Sequence, residues 1–203
     1  MSRPDDQHPS PTHLLPRAPR VPDLVVDDNG VTFLVVCAGG PITAVLVRLE
    51  FELARGRRVS VVATPTAAGW LEHAGADITI LERTGWPVRS ELPPPTVATF
   101  EPPGSRLVVF PCTLNTLTKW ADAHSDNLAL SLLCEAVGRG VPTVAEVSLS
   151  APYASLPAAG RALAQLDELG VELRRAPGSA DHELLRPVPA DLEEALAAAR
   201  PPT

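Results

Sequence analysis

The sequence predicts an α/β protein built on a doubly wound parallel sheet, three layers deep, of the Rossmann-like kind. Three observations predict it. Short apolar runs alternate with segments of helical apolar spacing. The runs are continuously apolar, as strands are when helices cover both faces of a sheet. Gly, Pro and Thr stand at the changeovers, where they stop one element and open the next. No internal repeat is visible, so right-handed crossovers between parallel strands are the expected connections.

Residues 1–25 are polar, proline-rich and aperiodic, and read as a disordered tail. His8 and His13 lie in it as solvated side chains. Val31-Thr32-Phe33-Leu34-Val35-Val36-Cys37 is the first strand. Ala38-Gly39-Gly40-Pro41 turns the chain into a helix from Ile42 to Ala54, stopped at Arg55-Gly56. Val59 to Ala63 is the second strand, and Thr64-Pro65-Thr66 opens a helix through Glu72, with Pro65 suited to its first turn. Ile78-Thr79-Ile80-Leu81 reads as a third strand. Residues 84–105 form a proline-rich connection with at most one short strand around Val88. Arg106 to Phe110 is the fourth strand, followed by a loop, Pro111-Cys112-Thr113-Leu114-Asn115-Thr116. A long apolar-periodic helical segment runs from Leu117 to Val137. Within it, Ser125-Asp126-Asn127 suggests a break or a buried polar contact, because Asp and Asn are poor mid-helix residues. Pro142 to Val147 is the fifth strand, 157–169 a helix ended by Gly170, and Val171 to Leu173 a short last strand. Beyond Pro177 the signal fades, apart from an Ala-rich helix around Asp191 to Arg200. The expected organisation is therefore a tail (1–25), an α/β domain (26–176) and a C-terminal extension with a short helix (177–203).

Composition narrows the function. The chain has 203 residues, 45% of them apolar, enough for one domain with a real core. Lys+Arg 17 against Asp+Glu 24 leaves a net charge of -7, which argues against a nucleic-acid partner. No apolar run reaches membrane-span length and no charged-then-apolar segment opens the chain, so no membrane role and a cytoplasmic location are expected. Cys37, Cys112 and Cys134 lack C-x-x-C spacing, so no metal site and no disulfide framework are expected.

In open α/β sheets, ligands bind where strands give way to helices. The Gly39-Gly40 turn suits phosphate, since free N–H groups and the helix dipole meet there, although a glycine turn also simply lets helix and strand pack. It does not match G-x-G-x-x-G. Thr64 and Thr66 offer hydroxyls at the next strand end, where helix capping is the plain alternative. Pro111-Cys112-Thr113-Leu114-Asn115-Thr116, with Asp126-Asn127-Leu128 beyond it, resembles the Pro-Ala-Ser-Ala-Asn-Thr and Asp-Asn-Leu motifs of the homo-oligomeric flavin-containing cysteine decarboxylases. Capping of the following helix is the alternative role for Asn115.

The resemblance spans roughly Val31 to Leu173 and implies an FMN-binding, decarboxylase-like flavoenzyme acting on a small thiol/carboxylate compound or a modified peptide end. It implies FMN contacts from Gly39, Gly40, Thr43, Thr64, Thr66, Pro111, Cys112, Thr113, Asn115, Thr116 and Asp126, with Thr43 standing in for the serine that holds the phosphate in the family. It also implies a trimer-based homo-oligomer with sites between subunits. Two family features are missing. No His precedes the fourth strand between Thr84 and Arg106, and Val147-Ser148-Leu149-Ser150-Ala151-Pro152-Tyr153 stands where Pro-x-Met-Asn is expected. Asn115 and His124 are left as the candidate catalytic residues, while His73 and His124 both also read as helix-surface residues. A catalytically silent flavin-binding partner or regulatory subunit is the competing reading. The related flavin prenyltransferases rank last, since no substrate motif of theirs is present.

Overall fold

The computed structural model describes residues 30–40, 42–92 and 106–198. The expected tail, Pro41 and most of the proline-rich connection lie outside the described residues. In chain order the elements are β1 (Val31–Val36), α1 (Ala44–Leu53), β2 (Arg58–Ala63), α2 (Pro65–His73), α3 (Ala76–Thr84), β3 (Arg106–Cys112) and α4 (Leu114–Ala121). There follow α5 (Leu128–Gly138), β4 (Thr143–Val147), α6 (Ala151–Ala154), α7 (Pro157–Glu168), β5 (Glu172–Arg175), β6 (Arg186–Pro187) and α8 (Ala190–Ala198).

The strands form one six-stranded sheet in the order β2-β1-β3-β4-β5-β6. Every pairing is parallel, with Val36 opposite Ala63, Val35 opposite Val109, and Arg175 opposite both Val147 and Pro187. β1, β3 and β4 are buried on both faces, which is why their sequences read as apolar runs. On one face Leu34, Val36, Val108 and Phe110 pack with Val45 and Leu49 of α1, Leu71 of α2, Ile80 of α3 and Leu192 of α8. On the other, Phe33, Val35, Val109 and Val147 pack with Leu117 of α4, Leu133 of α5 and Leu163 of α7.

Two sequence expectations are corrected. Ile78–Leu81 is not a strand but lies in α3. Its apolar residues are too many for one helix stripe: Ala76 and Ile80 are buried, four apart, while Ile78 and Leu81 face outward. Gly75 and Gly85, at φ 66 and 78, take the left-handed conformation at the two ends of this helix. Pro111–Thr116 is not a loop. β3 continues through Cys112 with a register shift between Val109 and Cys112, and α4 begins at Leu114. The break expected at Asp126-Asn127 is present: α4 and α5 are separate helices, and Asn127 caps α5 by accepting from the Leu130 amide at 3.0 Å. Neither α6 nor β6 is expected from the sequence.

Beneath α1 lies a buried ionic network. The Arg48 guanidinium donates to Glu146 of β4 at 3.0 Å and to Glu52 at 2.5 Å, and Arg57 also donates to Glu52. Arg48, Glu52 and Glu146 are all at most 2% exposed. Burial opposes charge on Glu52, but the adjacent Arg48 and the hydrogen bonds from Arg57 and Arg48 outweigh it and hold the carboxyl below its ordinary 4.5. Glu146 goes the other way: burial pushes it up despite Arg48. Glu52 therefore contributes stability that is present above pH 4.5 and is lost as pH falls through its lowered folded value. The Glu52→Gln variant is expected to lose about 3 kcal/mol near neutral pH. Its stability should also fall less steeply than wild type in the acid range, measured by urea unfolding across pH. An acid limb as steep as wild type would show that Glu52 does not carry it.

Candidate functional site

The sheet order reverses direction at β1. Its crossover through α1 leads outward to β2, whereas β3 lies on the other side of β1. A crevice therefore opens at the carboxyl ends of β1 and β3, the topological switch point of the sheet. The turn after β1 and the start of α4 line it.

These two segments meet closely. A Cβ added to Gly39 would lie 2.5 Å from the Thr113 Cγ2 and 3.6 Å from the Pro111 Cγ. Glycine is required here by contact, not by backbone angle. Gly40 follows at φ 58, exposed, with open space where a Cβ would be. Behind the turn lies the buried Cys37 thiol. Burial pushes it up to about 11, outweighing the opposite influence of the nearby Thr116 side chain and Thr113 backbone. The Cys112 thiol is also driven well above its usual value, first by burial and then by the neighbouring Cys37. Both thiols are protonated at neutral pH and serve as small apolar packing groups, not as nucleophiles.

Helix termini supply the polar character. α2 is capped by Thr64, whose hydroxyl accepts from the Ala67 amide at 3.4 Å. α1 and α4, whose first turns flank the crevice, have no such cap: neither Thr43 nor Thr113 makes a side-chain capping bond. In α1 the Val45 and Leu46 amides turn back onto the Ile42 and Thr43 carbonyls at 3.1 and 3.0 Å. The first-turn amides of α4, ahead of the Leu117 bond to Thr113, are left for water or a ligand at the positive end of its dipole. Thr64 also joins the crevice to β1, because its amide donates to the Val36 carbonyl at 2.9 Å. Thr66 is exposed on the first turn of α2, and Asn115 is exposed on the first turn of α4.

Thus Gly39, Gly40, Thr43, Thr64, Thr66, Pro111, Cys112, Thr113, Asn115 and Thr116 gather at one end of the sheet. His124 and Asp126 are placed differently. They follow the last turn of α4, and the rise from Asn115 to Ala121 puts roughly 9 Å of helix between them and Asn115. Asp126 there accepts from Lys119 at 2.5 Å, and that bond holds its carboxyl down. His124 is exposed, and its backbone carbonyl accepts from the Cys134 thiol at 3.4 Å. Within one subunit, His124 and Asn115 are not brought together. His73 ends α2, exposed.

Sequence reasoning overlooked Ser148 and Ser179. The Ser148 amide donates to the Cys112 carbonyl at 2.8 Å, which sets this half-buried serine beside the start of α4. The Ser179 hydroxyl accepts from the Leu149 amide at 2.8 Å and donates to its carbonyl at 3.1 Å, fixing the segment that follows β4. The one available signal was the small polar run Ser148-Leu149-Ser150 at a strand end. Among the described residues no cluster of His, Cys, Asp and Glu could hold a metal, and no helix is long and apolar enough to cross a membrane.

No protein-family model matches the sequence, and no curated protein matches it. Solved structures do match the fold. The FMN-dependent cysteine decarboxylase SpaF is 21% identical, with a TM-score of 0.58 over 85% of this chain and 98% of its own. The cypemycin decarboxylase CypD is 23% identical, with a TM-score of 0.56 over 84% and 91%. A dodecameric FMN-dependent UbiX-like decarboxylase from Escherichia coli O157:H7 is 16% identical, with a TM-score of 0.58 over 82% and 90%. This chain shares their Rossmann-like architecture.

The contact between Gly39 and Thr113 is directly testable. Gly39→Ala forces a methyl against the Thr113 methyl and is expected to destabilise the protein by about 1–3 kcal/mol. Thr113→Ser removes the opposing methyl, so the double variant should recover much of that loss. Additive losses in chemical denaturation would show that the two residues do not press on each other.

Proposed function

We propose that the switch-point crevice binds FMN and that the protein is a decarboxylase-like flavoenzyme. Its substrate in this reading is a small thiol/carboxylate compound or a modified peptide end. The observation that carries the reading is the Gly39–Thr113 approach. It seats the glycine turn directly against the start of α4, so that the turn's backbone lies between two helix N-termini without side-chain caps. That environment suits a phosphate next to a flat, partly apolar ring. The structures sharing this architecture include enzymes that are themselves FMN-dependent decarboxylases.

In this reading the amides of the Gly39-Gly40 turn and the Thr43 hydroxyl hold the phosphate, with Thr64 and Thr66 at its edge. Thr113 and Asn115 present hydrogen-bonding groups to the ring, and Pro111, Cys112 and Thr116 form the wall behind. Bound FMN would supply the electron sink for oxidising a thiol-bearing carbon. Asn115 and Ser148 orient the substrate at the open side. Asp126 and His124 enter only if a neighbouring subunit brings them to the crevice, so the reading includes a homo-oligomer, built from trimers, with sites between subunits. The competing reading, a flavin-binding partner without catalytic activity, draws on one observation: within a subunit most of α4 separates the candidate base His124 from Asn115.

The expected outcome for purified protein is a yellow chromophore that denaturation releases as FMN. Asn115→Asp should weaken FMN binding about tenfold, because it replaces a donor with a charge beside the ring. Colourless protein that fails to take up added FMN would defeat the proposal. Light scattering should give an oligomer, and a monomer with flavin fully bound would reject the shared site.

A further inference from the structure

A second cavity lies at the carboxyl ends of β5 and β6, two strand spacings (about 10 Å) beyond β3 and so outside the crevice. It has a volume of about 220 Å³, and its lining includes Arg175, Gly178, Ser179, Pro187, Val188 and Glu193. Its walls are fixed. Arg175 and Pro187 are paired in the sheet. Ser179 is held by both hydrogen bonds to Leu149. Val188 is buried, and Glu193 stands on α8, which Leu192 and Leu196 anchor in the core.

The charges are arranged unusually. Arg175 donates to Asp181, whose side chain is 90% exposed. Such a surface pair contributes about 0–1 kcal/mol and yields readily to a better-placed carboxylate. Glu193 has no ion-pair partner among the described residues. One displaceable cation and one unpaired carboxylate thus line the same small space. A simple anion would meet Glu193, and a simple amine would meet Arg175. A ligand carrying both charges on a short frame satisfies both walls. At ~30 Å³ per water the cavity holds the volume of roughly seven waters, the scale of a zwitterion with a small side chain.

We propose that this cavity is a binding site for a free α-amino acid with a small side chain. Its carboxylate pairs with Arg175 in place of Asp181, and its ammonium pairs with Glu193. The site stands apart from the flavin reading and needs no flavin.

Titration of nitrogen-15-labelled full-length protein with L-alanine tests it. The amide signals of Gly178, Ser179 and Glu193 should move and saturate, while those of Gly39 and Thr113 stay still. Acetate and ethylamine, each carrying one of the two charges, should bind at least about tenfold more weakly. Arg175→Gln and Glu193→Gln should each weaken L-alanine binding by about tenfold or more. Asp181→Asn removes the competing carboxylate and should tighten binding. Acetate binding as well as L-alanine, unchanged binding in Glu193→Gln, or no saturable shift would each overturn the proposal. None of these results bears on FMN in the crevice.

Discussion

The Arg48–Glu146 ion pair is the constraint on which the arrangement of this sheet depends. α1 follows β1, yet its central arginine reaches across β3 to a glutamate on β4. The helix is thereby fixed over three strands, and the Gly39-Gly40 turn at its start is set against Thr113. Charges so deeply buried are tolerated only when paired, and removing one partner of a buried pair costs about 3–5 kcal/mol. That is a large part of the roughly 5–15 kcal/mol that holds a domain folded. The pair is not fully satisfied: one Glu146 carboxylate oxygen and the Arg106 Nε are buried without hydrogen-bond partners. The network resembles a locating device more than a source of stability, since well-packed apolar residues would serve stability as well.

The crevice follows a different logic. Its back wall is built of small or neutral groups: two protonated thiols, a proline ring, a threonine methyl. Its polarity comes from backbone amides and from hydroxyls at strand ends. In the proposed reading an anion there would be held by helix N-termini and not by a charged side chain. Strand ends outward from β4 are organised by main-chain bonds instead. The Ala176 amide donates to Val147 at 2.9 Å, and the Ala180 amide donates to Leu149 at 2.8 Å. This continues the β4–β5 pairing past the last strand residues and gives the rim of the sheet a rigid edge.

Much of this was legible in the sequence, for physical reasons that can be named. β1, β3 and β4 are buried on both sides, so each reads as a largely apolar run, interrupted inside β1 by Thr32 and inside β4 by Glu146. Pro65 and Thr64 mark the start of α2, and Asn127 marks the start of α5. The rule that ligands bind at the carboxyl ends of parallel strands pointed to Gly39 and the start of α4, while the order of the strands was not read from the sequence. What could not be read depends on distance. Ile78 and Leu81 look like strand residues because exposed and buried apolar residues are indistinguishable until the helix stripe is known. β6 is two residues, Arg186 and Pro187, too short for any periodicity. Ser148 and Ser179 matter only because the fold brings together loops 30 positions apart. Arg48 and Glu146 read as ordinary charged residues, although a glutamate between Ala145 and Val147 in a central strand was a sign that a buried cation waited elsewhere.

The separation of that ion pair has a consequence for biogenesis. Arg48 and Glu146 are 98 positions apart, and Arg55 meets Asp191 of α8 across 136. At a synthesis rate of ~5–20 residues per second, a new chain has Arg48 paired with Glu52 alone for about 5–20 s before Glu146 exists. During that interval α1 can form as a helix but has no stable seat, and β1 lies without β3 to shield it. The first half of the polypeptide is therefore not an autonomous folding unit. It depends on its own later segments, and the most apolar strands are open to the cell's chaperones until β4 is made. A truncated message would leave an aggregation-prone fragment, not a smaller working protein.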